Sequence, residues 1–274
     1  MTKVWLNGAL VDEREAAISP FDHGILVGDG VFETLRVYDG RPFAVDRHLD
    51  RLERSARGID LPVPPRALLD RAVAEVTGAN DVGEARLRLT ITSGPGPLGS
   101  ARGEAGLTVM AAVTPIVPLP VSYAVRVVPW PRNERGALAG LKTLSYGENV
   151  VALDWAKRRF AREAIFPNLG GDLCEGTGTN VFLVDHGRLV TPPLLTGCLA
   201  GVTRALVIEL TGAEEIVLPV TALADAEEAF VTGTGCEIMP IESVDGRLLP
   251  ECSGPRTQKA AAAFRELVDR DIEP

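Results

Sequence analysis

The chain has 274 residues, 46% of them hydrophobic, with a net charge of −9 and a pI of about 5.0, a balance that supports a large buried core and argues against a nucleic-acid partner. No stretch reaches the apolar length of a membrane span, and "MTKVWLNGAL" lacks the layout of a signal peptide, so a cytoplasmic location is expected. Cys174, Cys198, Cys236 and Cys252 form no C-x-x-C pair and read as reduced thiols, and His23, His48 and His186 are too scattered for a metal site.

From the N-terminus, "KVWLNGALVD" predicts two short strands around an Asn7-Gly8 turn, and "VFETLRVYDGRPFAV" predicts the same around Asp39-Gly40. "DRHLDRLERSARGI" is helical, with Val45, Leu49, Leu52 and Ala56 at helical spacing, and "RALLDRAVAEVTGA" is a second helix. "EARLRLTITS" and "GLTVMAAV" read as strands. "GPGPLG", residues 94–99, matches G-x-G-x-x-G, but Pro95 and Pro97 lack the N–H groups that a dinucleotide site needs, so it reads as a mobile loop. Pro115, Pro118 and Pro120 mark an extended connector. The expected division is therefore a domain over 1–114, a linker over 115–121 and a second domain over 122–274. In the second, the strands "YAVRVVPW", "NVFLVDHGRLV" and "EAFVTG" alternate with the helices "NVVALDWAKRRFARE", "VTRALVIELTG" and an alanine-rich tail.

Only four residues are lysine: Lys3, Lys142, Lys157 and Lys259. A random lysine is a surface lysine. Lys142, in "GLKTLSYGENV", instead follows a loop, has apolar and small neighbours, and precedes a predicted helix. Such a setting lowers an amine's pKa and frees it as nucleophile or base. A lysine nucleophile points to a Schiff base, and pyridoxal 5'-phosphate (PLP) is the commonest cofactor of that kind. PLP needs a phosphate site and an acid for its ring nitrogen. Gly201, Val202 and Thr203 open a helix whose free N–H groups favour phosphate. Thr232, Gly233, Thr234 and Gly235 end a strand with further donors. Taken alone, the first is an ordinary Thr-capped helix. Arg51 offers a countercharge, although Arg47, Asp50, Glu53 and Arg54 beside it look like a solvated helix face. Glu175, in "LCEGTGTNVF", offers the acid.

Together, "SPFDHGILVGDGVFETLRVYDGRPF", "HLDRLERSA", "LKTLSYGENV", "DLCEGTGTNVF", "TPPLLTGCLAGVTRALV" and "TGTGCEIMPI" resemble, in order and spacing, the class IV (fold-type IV) PLP aminotransferases. That family includes D-amino acid transaminases, branched-chain aminotransferases and 4-amino-4-deoxychorismate lyases. The resemblance covers nearly the whole chain. It implies a mixed α and β fold: a small N-terminal α/β domain and a larger pseudo-barrel domain, with PLP between them. It implies a homodimer whose partner completes the active site. It implies Lys142 as the Schiff-base lysine, Glu175 on the pyridine nitrogen, Tyr146 on the ring hydroxyl and Leu199 packing on the ring. Around the phosphate it implies Arg51, Gly201, Val202, Thr203, Gly233 and Thr234.

The family's best-known D-specific members have tyrosine where this chain has Phe32, and an R-x-H pair where it has "PGPLGSARG". The candidates for the substrate carboxylate are then Arg36, Arg88 and Arg102. Branched-chain enzymes usually have glycine where Thr34 follows Glu33. The expected activity is transfer of an amino group from a D-amino acid to a 2-oxo acid. The alternatives are aminodeoxychorismate lyase, then branched-chain L-amino acid transaminase. A non-catalytic binding or assembly subunit is the reading from another class, and Lys142, Glu175 and Thr203 together argue against it.

Overall fold

Asn7 and Gly8 have φ of 48° and 102°, the pair of positive values a tight hairpin turn needs, and they join β1 (Lys3–Leu6) to β2 (Ala9–Asp12) in this computed structural model, which describes residues 2–274. Asp39 and Gly40 (φ 47° and 74°) do the same between β3 (Gly30–Tyr38) and the short β4 (Arg41–Pro42). With β5 (Ala85–Thr92) and β6 (Thr108–Pro115) these strands form a six-stranded sheet in the order β2-β1-β6-β5-β3-β4.

Alternation along β3 assigns the faces. Val31, Leu35 and Val37 point into a core with Leu87, Leu89, Ile91 and Trp5. Helices α2 (Val45–Gly58) and α3 (Arg66–Gly78) cover that face with Leu49, Leu52, Leu69 and Val76; the one-turn α1 (His23–Leu26) precedes them. Glu33 falls in the same buried register, while Phe32 and Thr34 occupy the other face.

Two compact units result. The first comprises Met1–Val117, Leu141–Tyr146 and Ile272–Pro274, and the second Pro118–Gly140 and Gly147–Asp271. The Lys142 segment belongs to the first because it is clipped to the edge of β3. Val31 and Thr143 form an antiparallel bridge, Phe32 N–H donates to the Lys142 carbonyl (3.1 Å), and Leu144 N–H donates to the Gly30 carbonyl (2.8 Å). A single cut in the sequence between two domains has no way to express that return of the chain.

The second unit holds a nine-stranded sheet built from β7 (Tyr123–Val127), β8 (Glu163–Pro167), β9 (Leu173–Gly176), β10 (Asn180–Asp185), β11 (Arg188–Thr191), β12 (Glu214–Glu215), β13 (Ala229–Gly233), β14 (Glu237–Val244) and β15 (Arg247–Leu248). Its main path runs β12-β11-β10-β13-β14-β7-β8-β9. In a flat sheet β10 and β9 would lie about 24 Å apart at ~4.8 Å per strand. Only Thr177–Thr179 joins them, a reach of about 14 Å. The sheet therefore curls back on itself into a half-barrel, the expected pseudo-barrel. Helices α4 (Gly147–Lys157), α5 (Val202–Thr211), α6 (Ala222–Asp225) and α7 (Pro255–Arg270) complete the unit. Phe182 and Phe230, opposite each other on β10 and β13, stack with centroids 5.0 Å apart.

Two predicted elements change. "NVFLVDHGRLV" is a hairpin, because His186 and Gly187 (φ 49° and 72°) turn the chain between β10 and β11. Helix α4 stops at Lys157, short of the predicted "RRFARE". Ala161 N–H bonds back to the Ala156 carbonyl (3.1 Å) and Phe160 N–H to that of Lys157 (3.0 Å), with Phe160 at φ 61°. This is a Schellman stop with phenylalanine where glycine is usual, which hides it from sequence.

Candidate active site

In the first unit, Lys142 projects from the clipped segment beside Phe32. Its Nζ lies 4.4 Å from the Phe32 ring centroid and 3.4 Å from the Tyr146 hydroxyl, and the two rings meet edge to face at 5.0 Å. The Lys142 backbone N–H donates to Ser55 Oγ (3.1 Å), which ties the segment to α2. Arg88, on β5, places its guanidinium carbon 3.7 Å from the centroid of the same Phe32 ring. Lys142 and Arg88 thus flank one aromatic ring.

The three arginines proposed for a carboxylate now separate. Arg36 pairs with Glu84 (2.5 Å). Arg102 pairs with both oxygens of Asp29 at 2.7 Å and donates to the carbonyls of Ile59 and Asp60. Arg88 makes no ion pair among the described residues; its Nε donates to Thr90 Oγ1 (3.3 Å). Arg88 counts as exposed along its strand, yet its head group is desolvated enough to pull its pKa below the usual arginine value, partly offset by Tyr146. A cation without a carboxylate among the described residues, held against an aromatic ring, is suited to receive one.

Arg51 does not lie on a solvated helix face. It is buried, and grips Glu33 through Nε (2.7 Å to Oε1) and Nη2 (2.6 Å to Oε2). His48 Nδ1 donates to Glu33 Oε2 (2.7 Å), which fixes its neutral tautomer. Burial alone would raise the Glu33 pKa, but Arg51 and His48 outweigh it and hold the carboxyl well below the usual range. Burial pushes His48 down, against the pull of Glu33. Sequence reasoning missed the buried contacts of Glu33 and His48 with Arg51, although the signal was present: a charge in the buried register of β3, and a histidine three positions before Arg51 on a core-facing helix.

In the second unit, Glu175 on β9 accepts a bond from Leu199 N–H at Oε2 (2.8 Å), which brings the predicted acid and the predicted ring-packing residue together. Gly201 precedes α5, a ten-residue helix with no side-chain cap. A Cβ at Gly201 would come within 2.0 Å of Asn180 Oδ1, so glycine is required there. Asn180 in turn pairs across the sheet with Thr232, whose buried hydroxyl has no partner among the described residues. Val202 and Thr203 open the helix, and Gly233 and Thr234 follow Thr232 at the end of β13. An uncapped helix start, a close-approach glycine and an orphan buried hydroxyl suit an oxyanion such as a phosphate. The loop at 94–99 opens no helix, so the dinucleotide reading has no support.

The profile of the amino-transferase class IV family matches residues 30–244. The chain belongs to that family. It is 37% identical to a Methanocaldococcus jannaschii protein named for branched-chain-amino-acid aminotransferase activity, over 97% of this chain and 96% of that one. It is 34% identical to an aminodeoxychorismate lyase of Bacillus subtilis (98% and 94% covered) and 30% identical to a D-alanine aminotransferase of Staphylococcus haemolyticus (98% and 99%). Among solved structures, the branched-chain aminotransferase of Thermoproteus uzoniensis with norvaline superposes with a TM-score of 0.89 at 36% identity, covering 97% of this chain and 94% of that one. Class IV aminotransferases use PLP, and the Lys142, Glu175 and α5 environments are chemically suited to it. No helix of the described residues is long and apolar enough to cross a membrane.

Proposed function

We propose that this class IV aminotransferase moves the amino group of a D-amino acid to a 2-oxo acid, with Arg88 receiving the substrate α-carboxylate. The Staphylococcus haemolyticus relative supports the D-amino acid, and the placement of Arg88 and Lys142 around Phe32 supports the carboxylate assignment: the Arg88 guanidinium carbon and the Lys142 nitrogen lie 3.7 and 4.4 Å from one ring centroid. An amino acid held by its carboxylate at Arg88 presents its Cα towards Lys142. Bound PLP supplies the electron sink that makes the α-proton acidic. Lys142 takes that proton and returns it, a shuttle that arginine, never neutral near pH 7, has no means to perform. Tyr146 orients the Lys142 amine. Glu175 holds a proton on the ring nitrogen, while Thr203, Thr234 and the N–H groups at Gly201 and Val202 hold the phosphate. Arg51 adds a countercharge and is itself fixed by Glu33.

The protein works as a cytoplasmic homodimer in this reading. Phe21, Ile25, Val27 and Leu98, exposed apolar residues of the first unit, support self-association. Branched-chain L-amino acids are the second reading, supported by the Methanocaldococcus and Thermoproteus relatives. Mixing the holoenzyme with D-alanine and no acceptor should convert its cofactor to pyridoxamine phosphate, and 2-oxoglutarate should restore it. Conversion by L-leucine and not D-alanine would establish the branched-chain reading instead. Release of pyruvate from aminodeoxychorismate, with no response to either amino acid, would establish the lyase.

A further inference from the structure

The second unit sets a cation against Glu175. Arg132 lies in the loop after β7, its backbone N–H bonded to the Pro167 carbonyl (2.7 Å) and its position bridged to Asn168 beside β8. The guanidinium carbon sits 4.1 Å from the Phe166 ring centroid, and Phe166 is the residue opposite Glu175 across β8 and β9. Arg132 Nε lies 3.3 Å from Glu175 Oε1, and Nη1 donates to Asn149 Oδ1 (3.0 Å) and lies 3.3 Å from Glu148 Oε2. Asn149 donates onward to the Thr177 carbonyl (2.5 Å), which closes the frame.

Arg132 Nε is buried and makes no aligned hydrogen bond, despite its distance from Glu175. The Leu199 N–H helps to orient Glu175 at Oε2, and what Arg132 contributes at 3.3 Å from Oε1, without an aligned hydrogen bond, is charge. Both side chains are mostly shielded, with exposures of 15% and 12%, so solvent screens that charge only in part.

We infer that Arg132 is a positioning residue that shares the negative charge of Glu175 and so limits how tightly this carboxylate holds the protonated ring nitrogen of PLP. The inference rests on Glu175 facing that nitrogen. A guanidinium on one side of a carboxylate weakens its attraction for a second cation on the other. Glu148 acts in the opposite sense, drawing part of the Arg132 charge away from Glu175; it is 73% exposed, so its effect is smaller.

Equilibrium dialysis of the apoprotein against PLP, and against a carbocyclic analogue with C–H in place of the ring nitrogen, tests this without measuring turnover. The readout is the ratio of the two dissociation constants, analogue over PLP. Arg132→Met should raise the ratio about tenfold, Arg132→Lys should leave it near wild type, and Glu148→Gln, a change on an exposed helix turn, should lower it about twofold. A purely packing role for Arg132 would weaken both ligands equally; an unchanged ratio in Arg132→Met and Glu148→Gln therefore overturns the inference. A ratio that falls in Arg132→Met also overturns it, since Arg132 would then merely orient Glu175. A wild-type ratio near one, unchanged in Glu175→Gln, would remove the Glu175 reading and the inference with it.

Discussion

Glu33 has no exposed surface and two strong partners, so its removal and its protonation have different consequences. Glu33→Gln leaves Arg51 buried without its countercharge, and breaking such a pair costs about 3–5 kcal/mol; denaturant titration should show a loss of that size. Arg88 invites the opposite experiment, because no acidic partner loses by its removal. Arg88→Met should raise KM for the amino donor roughly 10- to 100-fold, the worth of about 1.5–3 kcal/mol for a hydrogen bond to a charged group. Arg36→Met, which removes the ion pair with Glu84 and the contact of the guanidinium with the Tyr38 ring, should leave KM unchanged; equal effects of the two would remove Arg88 from the substrate site. At this scale the sequence offers a signal where a residue type is rare in its setting, which is why Lys142 is put forward as the cofactor amine. It was silent where partners lie far apart in the chain. Arg132 stands 43 positions before Glu175, and nothing local in "WPRNERG" marks it. Of Arg36, Arg88 and Arg102, only the positions of Glu84 and Asp29 decide which guanidinium is left for a ligand.

Helix α2, which carries His48, Arg51 and Ser55, begins at a residue that offers it no cap. Ala44 has no side-chain acceptor and sits at φ 53°. The acceptors come from the last residues of the sequence: Glu273 takes the N–H groups of Val45 (2.9 Å) and Asp46 (2.7 Å), and Arg47 donates to the Pro274 carbonyl (2.7 Å). Glu273→Ala should cost about 1 kcal/mol, the usual worth of an N-cap. Amide hydrogen exchange should quicken at Val45 and Asp46 first; unchanged protection there would mean that the helix start does not depend on Glu273. The existence of α2 was legible from the spacing of Leu49, Leu52 and Ala56, but its cap was not, because it arrives from 228 positions away. The early end of α4 was illegible for a different reason, since Phe160 occupies a left-handed position that favours glycine. The hairpins at Asn7-Gly8 and Asp39-Gly40 were legible because their turn residues admit positive φ.

Across the molecule, the buried Glu33–His48–Arg51 cluster links stability to pH. Glu33 is held below the carboxyl value of 4.5, and His48 below the imidazole value of 6.5. In both cases the unfolded chain binds the proton more readily, so stability is full above about pH 6.5, falls below that value through His48, and falls further below 4.5 through Glu33. Thermal unfolding should therefore shift to lower temperature between pH 7 and pH 4, and less so in His48→Gln over the pH 7 to 5.5 interval; a midpoint independent of pH in that range would contradict the cluster's role. The return of Leu141–Tyr146 and Ile272–Pro274 to the first unit was not legible in the sequence, because edge pairing and capping leave no local pattern. The family was visible in the order of its motifs, and the substrate was not, since the carboxylate site departs from the best-known pattern. We propose that Lys142, clipped against β3 beside Phe32, is the amine that engages the cofactor. Borohydride reduction of the protein equilibrated with PLP, followed by peptide mapping, identifies the lysine that does so. The phosphopyridoxyl label should fall on Lys142 alone and vanish in Lys142→Ala; label on Lys3, Lys157 or Lys259, or retained labelling in the variant, would contradict it.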